Sequence, residues 1–142
     1  MSNLSYRLLL ENLKEVSRAI ESIRSILEEQ GLKLMVAERS KIVARGSVKL
    51  KEESRKTEVP VFVSVFSKEN SIDISIDVLD PPKRRLPSSV CDKIAEVIAF
   101  QIYQGIHGRK PSTIKFTSIL PIRKSKIRVK RDKLHIMKVY CG

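Results

Sequence analysis

Val59 to Leu79 reads VPVFVSVFSKENSIDISIDVL. In its first half Val59, Val61, Val63 and Val65 alternate with Pro60, Phe62, Ser64 and Phe66. In its second half Ile72, Ile74, Ile76 and Val78 alternate with Ser71, Asp73, Ser75 and Asp77. A period of two puts each set on one side of a strand, so the segment predicts two half-buried strands, Val59–Ser67 and Ser71–Leu79. The four polar residues Ser67-Lys68-Glu69-Asn70 make a short turn, which implies antiparallel neighbours.

Working towards the N-terminus, Lys51–Glu58 (KEESRKTE) is polar throughout and reads as an exposed loop. Ile42–Leu50 alternates again, with Ile42, Ala44, Gly46, Val48 and Leu50 on one face and Val43, Arg45, Ser47 and Lys49 on the other. Leu32–Glu38 adds a further strand through Leu32, Leu34 and Val36. Four strands with short connections predict a four-stranded antiparallel meander whose apolar face needs a cover.

Two helices are the expected cover. Tyr6, Leu9, Leu13, Val16, Ile20, Ile23 and Leu27 are spaced 3, 4, 3, 4, 3 and 4 apart, which predicts one long helix over Asn3–Gln30. Such a seam packs either on the chain's own sheet or on a second copy. Leu8, Leu10, Ala19 and Ile26 widen the stripe enough for both, so a homodimer through this N-terminal helix is expected. Asp80-Pro81-Pro82 stops the last strand of the meander. Ser89 and Asp92 resemble a capping box, and Val90, Ile94, Val97, Ile98 and Ile102 form the stripe of a second helix ending at Gly105 or Gly108. Beyond it Ile114 and Phe116, then Ile127 and Val129, then Leu134 and Ile136 alternate with polar residues. Arg131-Asp132-Lys133 reads as the turn of a basic C-terminal β-hairpin. The fold class expected is α+β, with residues 1–108 as the core and 109–142 as a terminal strand pair packed on it or extending it.

The chain has 142 residues, enough to bury a core without staples. Its apolar runs fall far short of the ~20 residues of a membrane helix, and Met1-Ser2-Asn3-Leu4 is not a basic leader, so a cytoplasmic protein without membrane contact is expected. Cys91 and Cys141 are too few for a disulfide framework or a four-thiolate metal site, although one bridge between them stays open. Asn and Gln total six while Lys, Arg, Glu and Ile abound, a composition that leans towards a thermophile.

Charge is distributed unevenly. The net charge is +12, from 28 basic and 16 acidic residues. Residues 109–142 hold 11 of the bases and one acid, Asp132, a local net of +10, whereas residues 1–108 hold 17 bases and 15 acids. Such asymmetry points to a polyanionic partner, of which nucleic acid is the commonest inside a cell.

Catalytic patterns are weak by comparison. His107 and His135 lie in basic surroundings with no nucleophile signature. Asp73 and Asp77, about 13 Å apart along one strand face, are too distant to share a metal unaided. Neither Gly105 nor Gly108 opens a P-loop. A non-enzyme with no cofactor and no metal is expected.

Binding residues are easier to nominate. In Arg123–Lys133 (RKSKIRVKRDK) seven of eleven residues are cationic, and Lys126, Arg128 and Lys130 alternate with Ile127 and Val129. A hairpin of that pattern contacts successive phosphates through Arg123, Lys124, Lys126, Arg128, Lys130, Arg131 and Lys133, with Arg109 and Lys110 beside it. Lys83, Arg84 and Arg85 extend the track. The plainer alternative is a solvated edge kept from aggregating by its lysines. A second constellation, Arg45, Lys49, Phe62 and Phe66, would form a stacking platform for unpaired bases if the rings are uncovered. RNP, GxxG and zinc-finger signatures are all missing. The expected function is nucleic-acid binding with little sequence specificity, single strands slightly favoured over duplex. The alternative is an assembly or scaffold subunit of a larger complex, such as a ribonucleoprotein.

Overall fold

The computed structural model describes residues 3–51, 56–82, 84–119 and 133–141. Its elements, in order, are β1 (Asn3–Leu10), α1 (Val16–Glu29), β2 (Lys33–Ala37), β3 (Lys41–Lys51), β4 (Lys56–Ser67), β5 (Ile72–Val78), α2 (Ser88–His107), β6 (Thr113–Ile119) and β7 (Lys133–Cys141). The strands form one seven-stranded sheet in the order β2-β3-β4-β5-β1-β7-β6. Both helices lie against one face of it.

The α+β class stands, but a four-stranded meander beneath a long N-terminal helix does not. The four alternating segments do pair consecutively as β2 to β5. Three more strands share their sheet, and the first of these comes from the segment expected to begin a helix. Leu4, Tyr6, Leu8 and Leu10 satisfy a period of two as well as Tyr6, Leu9 and Leu13 satisfy a helical one. Burial settles the contest: the first four are buried, while Leu9 is half-exposed on the opposite face. Asn12 then adopts the left-handed region at φ 57°, which an α-helix cannot absorb and which Asn tolerates better than most residues. The Leu13 N–H is held by the Asn70 carbonyl at 2.9 Å, anchoring the chain to the β4–β5 turn before α1 begins.

The residues of the expected dimer seam are accordingly used inside the chain. Ala19, Ile20, Ile23 and Leu27 of α1 are buried with the sheet core, and so is Tyr6. The other seam residues, Leu9, Leu13 and Val16, are half-buried.

The C-terminal expectation changes too. β7 sits between β1, to which it is antiparallel, and β6, to which it is parallel with Thr113 opposite Lys133 and Ile119 opposite Val139. Parallel neighbours cannot be joined by a tight turn, and both sides of β7 are occupied from Ile136 to Val139, so β7 is not one arm of a hairpin along that stretch. The last strands extend the core sheet. The basic run Arg123–Asp132 lies outside the described residues.

α2 buries Cys91, Ile94, Ala95, Ile98, Ala99, Ile102 and Tyr103. The small residues on that face let the helix approach the sheet closely, and Val97, expected inside, is instead 47% exposed. The capping box is also corrected. The helix starts at Ser88 after Pro87 with no side-chain cap, and Asp92 points elsewhere. Its carboxylate accepts from the Tyr6 hydroxyl of β1 and pairs with the Lys138 ammonium of β7 at 2.9 Å. Lys138 is 6% exposed, so a buried cation is neutralised at the point where α2, β1 and β7 meet. Cys91, beside Asp92, is a free and buried thiol. Burial, helped by the nearby carboxylates of Asp80 and Asp92, pushes its pKa above the usual thiol value.

Among the described residues no helix is long and apolar enough to cross a membrane. No cluster there of three or more His, Cys, Asp or Glu could hold a metal.

Two measurements test this core. Lys138→Ala leaves Asp92 without its cation and is expected to cost about 3–5 kcal/mol in denaturant unfolding, whereas the double variant Lys138→Met with Asp92→Asn, which keeps an acceptor for the Tyr6 hydroxyl, recovers most of the loss. Cys91 is expected to resist iodoacetamide at pH 8 in the native protein and to react when the chain is unfolded, read by intact mass.

Candidate functional site

The register of β3 and β4 assembles the surface. Ile42 and Ala44 point to the core, so alternation sends Lys41, Val43, Arg45, Ser47, Lys49 and Lys51 to the face that carries no helix among the described residues. Arg45 lies directly opposite Phe62, and Lys41 opposite Phe66. On the other side of β3, Lys33 of β2 lies opposite Arg45. Phe66 is 42% exposed and Phe62 half-buried, so both rings reach solvent. The Lys41 ammonium stands 5.6 Å from the Phe66 ring centroid, a cation–π contact worth about 0.5–1 kcal/mol at an exposed site. Four residues of strand put the two rings about 13 Å apart, with Ser64 between them.

The acidic residues of this face occupy the next strand. On β5, Asp73 is opposite Phe66 and Asp77 opposite Phe62. Asp73 is ion-paired with Arg7 of β1, so part of the negative charge is answered before any ligand arrives. The face therefore runs from a cationic strip on β2 and β3, through the two aromatic rings of β4, to a partly neutralised acidic row on β5.

The remaining nominated residues divide by position. Arg84 donates to the Thr57 hydroxyl at 3.2 Å, which places the loop before α2 at the same end of the sheet as Lys49, Lys51 and Lys56. Arg85 beside it is exposed. Arg109 and Lys110 are exposed as well, but they follow Gly108 at the far end of α2, about 30 Å from its start at 1.5 Å per residue. The structure thus brings Arg45, Lys49, Phe62 and Phe66 together, sets Arg84 and Arg85 near one end of them, and leaves Arg109 and Lys110 apart. Lys83, Arg123, Lys124, Lys126, Arg128, Lys130 and Arg131 lie outside the described residues. So does the side chain of Lys133, the first residue of β7.

Sequence reasoning passed over Lys33, Lys41, Lys51 and Lys56. The cross-strand register is the signal that finds them: Lys33 pairs with Arg45 and Lys41 with Phe66, while Lys51 follows Lys49 on the same face of β3 and pairs with Lys56. It also passed over a groove of about 920 Å³ at the margin of the strip. The groove lies where the α1–β2 connection, β3 and α2 meet.

No protein-family model and no curated protein matches the chain. Several solved structures are similar to it to differing degrees. The vertebrate conserved region of human METTL16 superposes with a TM-score of 0.50 at 8% identity, over 72% of this chain and 99% of that one. A DUF4468 family protein from Bacteroides ovatus gives 0.49 at 7% identity, over 75% and 87% of the two chains. A TBP-like protein from Parabacteroides distasonis gives 0.43 at 14% identity, over 55% and 58%. At such identities the likeness concerns the fold alone.

The cation–π contact can be checked directly. Lys41→Ala is expected to lower stability by less than about 1 kcal/mol, because the ring stays packed on β4 and only an exposed contact is removed. Matched urea titrations of the variant and the parent read the difference.

Proposed function

We propose that this is a cytoplasmic, non-enzymatic protein that binds single-stranded nucleic acid with little sequence readout. One observation carries the reading. Two solvent-reaching phenylalanines, Phe62 and Phe66, stand in a row directly beside Lys41 and Arg45 on a sheet face that no described helix covers. Rings supply stacking surfaces that every base can use, and the neighbouring cations meet the backbone phosphates. Unpaired bases suit this geometry better than a duplex. A flat sheet cannot enter a major groove, and both helices turn their apolar faces to the core rather than presenting a recognition surface. The charge of residues 109–142 supports the same partner class, since eleven bases against one acid exceed what solubility requires.

The test is a binding titration of a 20-nucleotide oligo-dT, an oligo-U and a matched duplex at several salt concentrations. If six to eight phosphates are engaged, log K for the single strands is expected to fall against log salt with a slope of roughly −4 to −6. Phe62→Ala and Phe66→Ala are each expected to weaken single-strand binding about 5- to 150-fold, the equivalent of ~1–3 kcal/mol per stacked base, with little change in the salt slope. Lys49→Glu is expected to flatten that slope by about one unit or more. Failure to bind any probe at about 50 mM salt, where phosphate contacts are strong, would favour an assembly or scaffold role instead.

A further inference from the structure

β2 covers β3 only from Ala37 opposite Ile42 to Lys33 opposite Arg45. The cause is local. Gly31 adopts φ 83° and the Leu32 N–H bonds the Leu27 carbonyl, so the chain turns away into α1 immediately before β2. Gly46 makes room for that turn, because any Cβ there would run into the Leu32 side chain. From Gly46 to Lys51, β3 is paired with β4 on one side, and among the described residues no strand lies on the other. In an antiparallel ladder every second residue turns both N–H and C=O away from its partner, so this edge presents a row of backbone donors and acceptors.

Beside the edge lies the groove of about 920 Å³. Alternation gives its two flanks different chemistry. Val48, on the helix side of β3, faces the same groove as Val97 of α2, which is unusually exposed for its type. Lys33, Arg45, Lys49 and the Phe62 ring stand on the opposite flank, and among the described residues no Asp or Glu lines the groove. Any strand added here would have one set of alternate side chains against valines and the other set against cations.

We infer that the Gly46–Lys51 edge accepts an extended peptide in which acidic and apolar residues alternate, added to the sheet as an eighth strand. Main-chain hydrogen bonds provide the affinity and the two flanks provide the selection. A second copy of this chain is a poor occupant, because edge-to-edge pairing would bring Lys49 and Lys51 against the same cations of the partner. A nucleic-acid strand meets the cations but cannot continue an amide ladder. The inference goes beyond the proposed function and does not rest on it.

The experiment uses the full chain and a fluorescein-labelled heptapeptide of sequence Val-Glu-Val-Glu-Val-Glu-Val, read by polarisation. Two controls accompany it: the same peptide N-methylated at alternate amides, and the oligo-dT used above. The parent peptide is expected to bind, and N-methylation is expected to weaken it at least about tenfold by removing ladder donors. Val97→Glu, at an exposed helix position, is expected to weaken the peptide at least about tenfold while leaving the circular dichroism spectrum unchanged. Equal binding of the methylated peptide would overturn the inference and leave charge attraction alone. Indifference to Val97→Glu, or failure of the peptide to bind a chain with a folded circular dichroism spectrum, would overturn it too, whether or not oligo-dT binds. A concentration-dependent dimer that excludes the peptide would assign the edge to a second copy and overturn it equally.

Discussion

β1 joins two parts of the chain that would otherwise be separate sheets. On one side it completes a ladder with β5, from Leu4 opposite Val78 to Leu10 opposite Ile72. On the other it pairs with β7, from Asn3 opposite Cys141 to Leu8 opposite Ile136. From Leu4 to Leu8 the strand is paired on both sides, and Tyr6 and Leu8 on its inner face are almost wholly buried. Each such side chain contributes about 1.5–3 kcal/mol on leaving water. The Tyr6 hydroxyl then reaches the Asp92 carboxylate, which is also the partner of Lys138. One strand thus holds the meander, the C-terminal strands and α2 in a single arrangement.

From that arrangement follows the two-sidedness of the molecule. With β1 inside the sheet, α1 starts late and is short, and both helices gather on the face lined by Ile42, Val61, Val63, Ile74 and Ile76. The other face keeps its strand alternation in view: cations on β2 and β3, rings on β4, carboxylates on β5. That separation of charge by strand, rather than the total of +12, gives the surface its direction. Because α1 leaves the sheet so close to the start of β2, the same construction also leaves half of β3 with no described strand on one of its two sides.

Much of this was legible in the amino-acid order. Strict alternation in Ile42–Leu50, Val59–Ser67 and Ile72–Val78 assigned the inward residues correctly, because a half-buried strand leaves little room for another reading. Arg45, Phe62 and Phe66 were placed on a common outer face by the same parity. The N-terminus was not legible in that way, since its leucines fit two periods at once and intrinsic preference is a weak guide between them. Val97 failed for a related reason: periodicity finds a stripe, but small residues such as Ala95 and Ala99 rotate it when a helix settles closely on a sheet.

By itself, then, the order of residues determined the α+β class, the faces of the central strands and the lopsided charge of the last quarter, all of which depend on neighbours close along the chain. Tertiary structure alone decided that β1 is a strand, that β6 and β7 run parallel, that Asp92 serves Lys138 rather than a helix cap, and where the edge of β3 lies open. The strand pairing of β1 and the role of Asp92 depend on contacts between residues 46 to 138 positions apart, for example Tyr6 with Lys138 and Asp92 with Lys138, and β6 meets β7 across 20 positions. No local pattern encodes such contacts, because their free energy exists only after distant backbone groups have met.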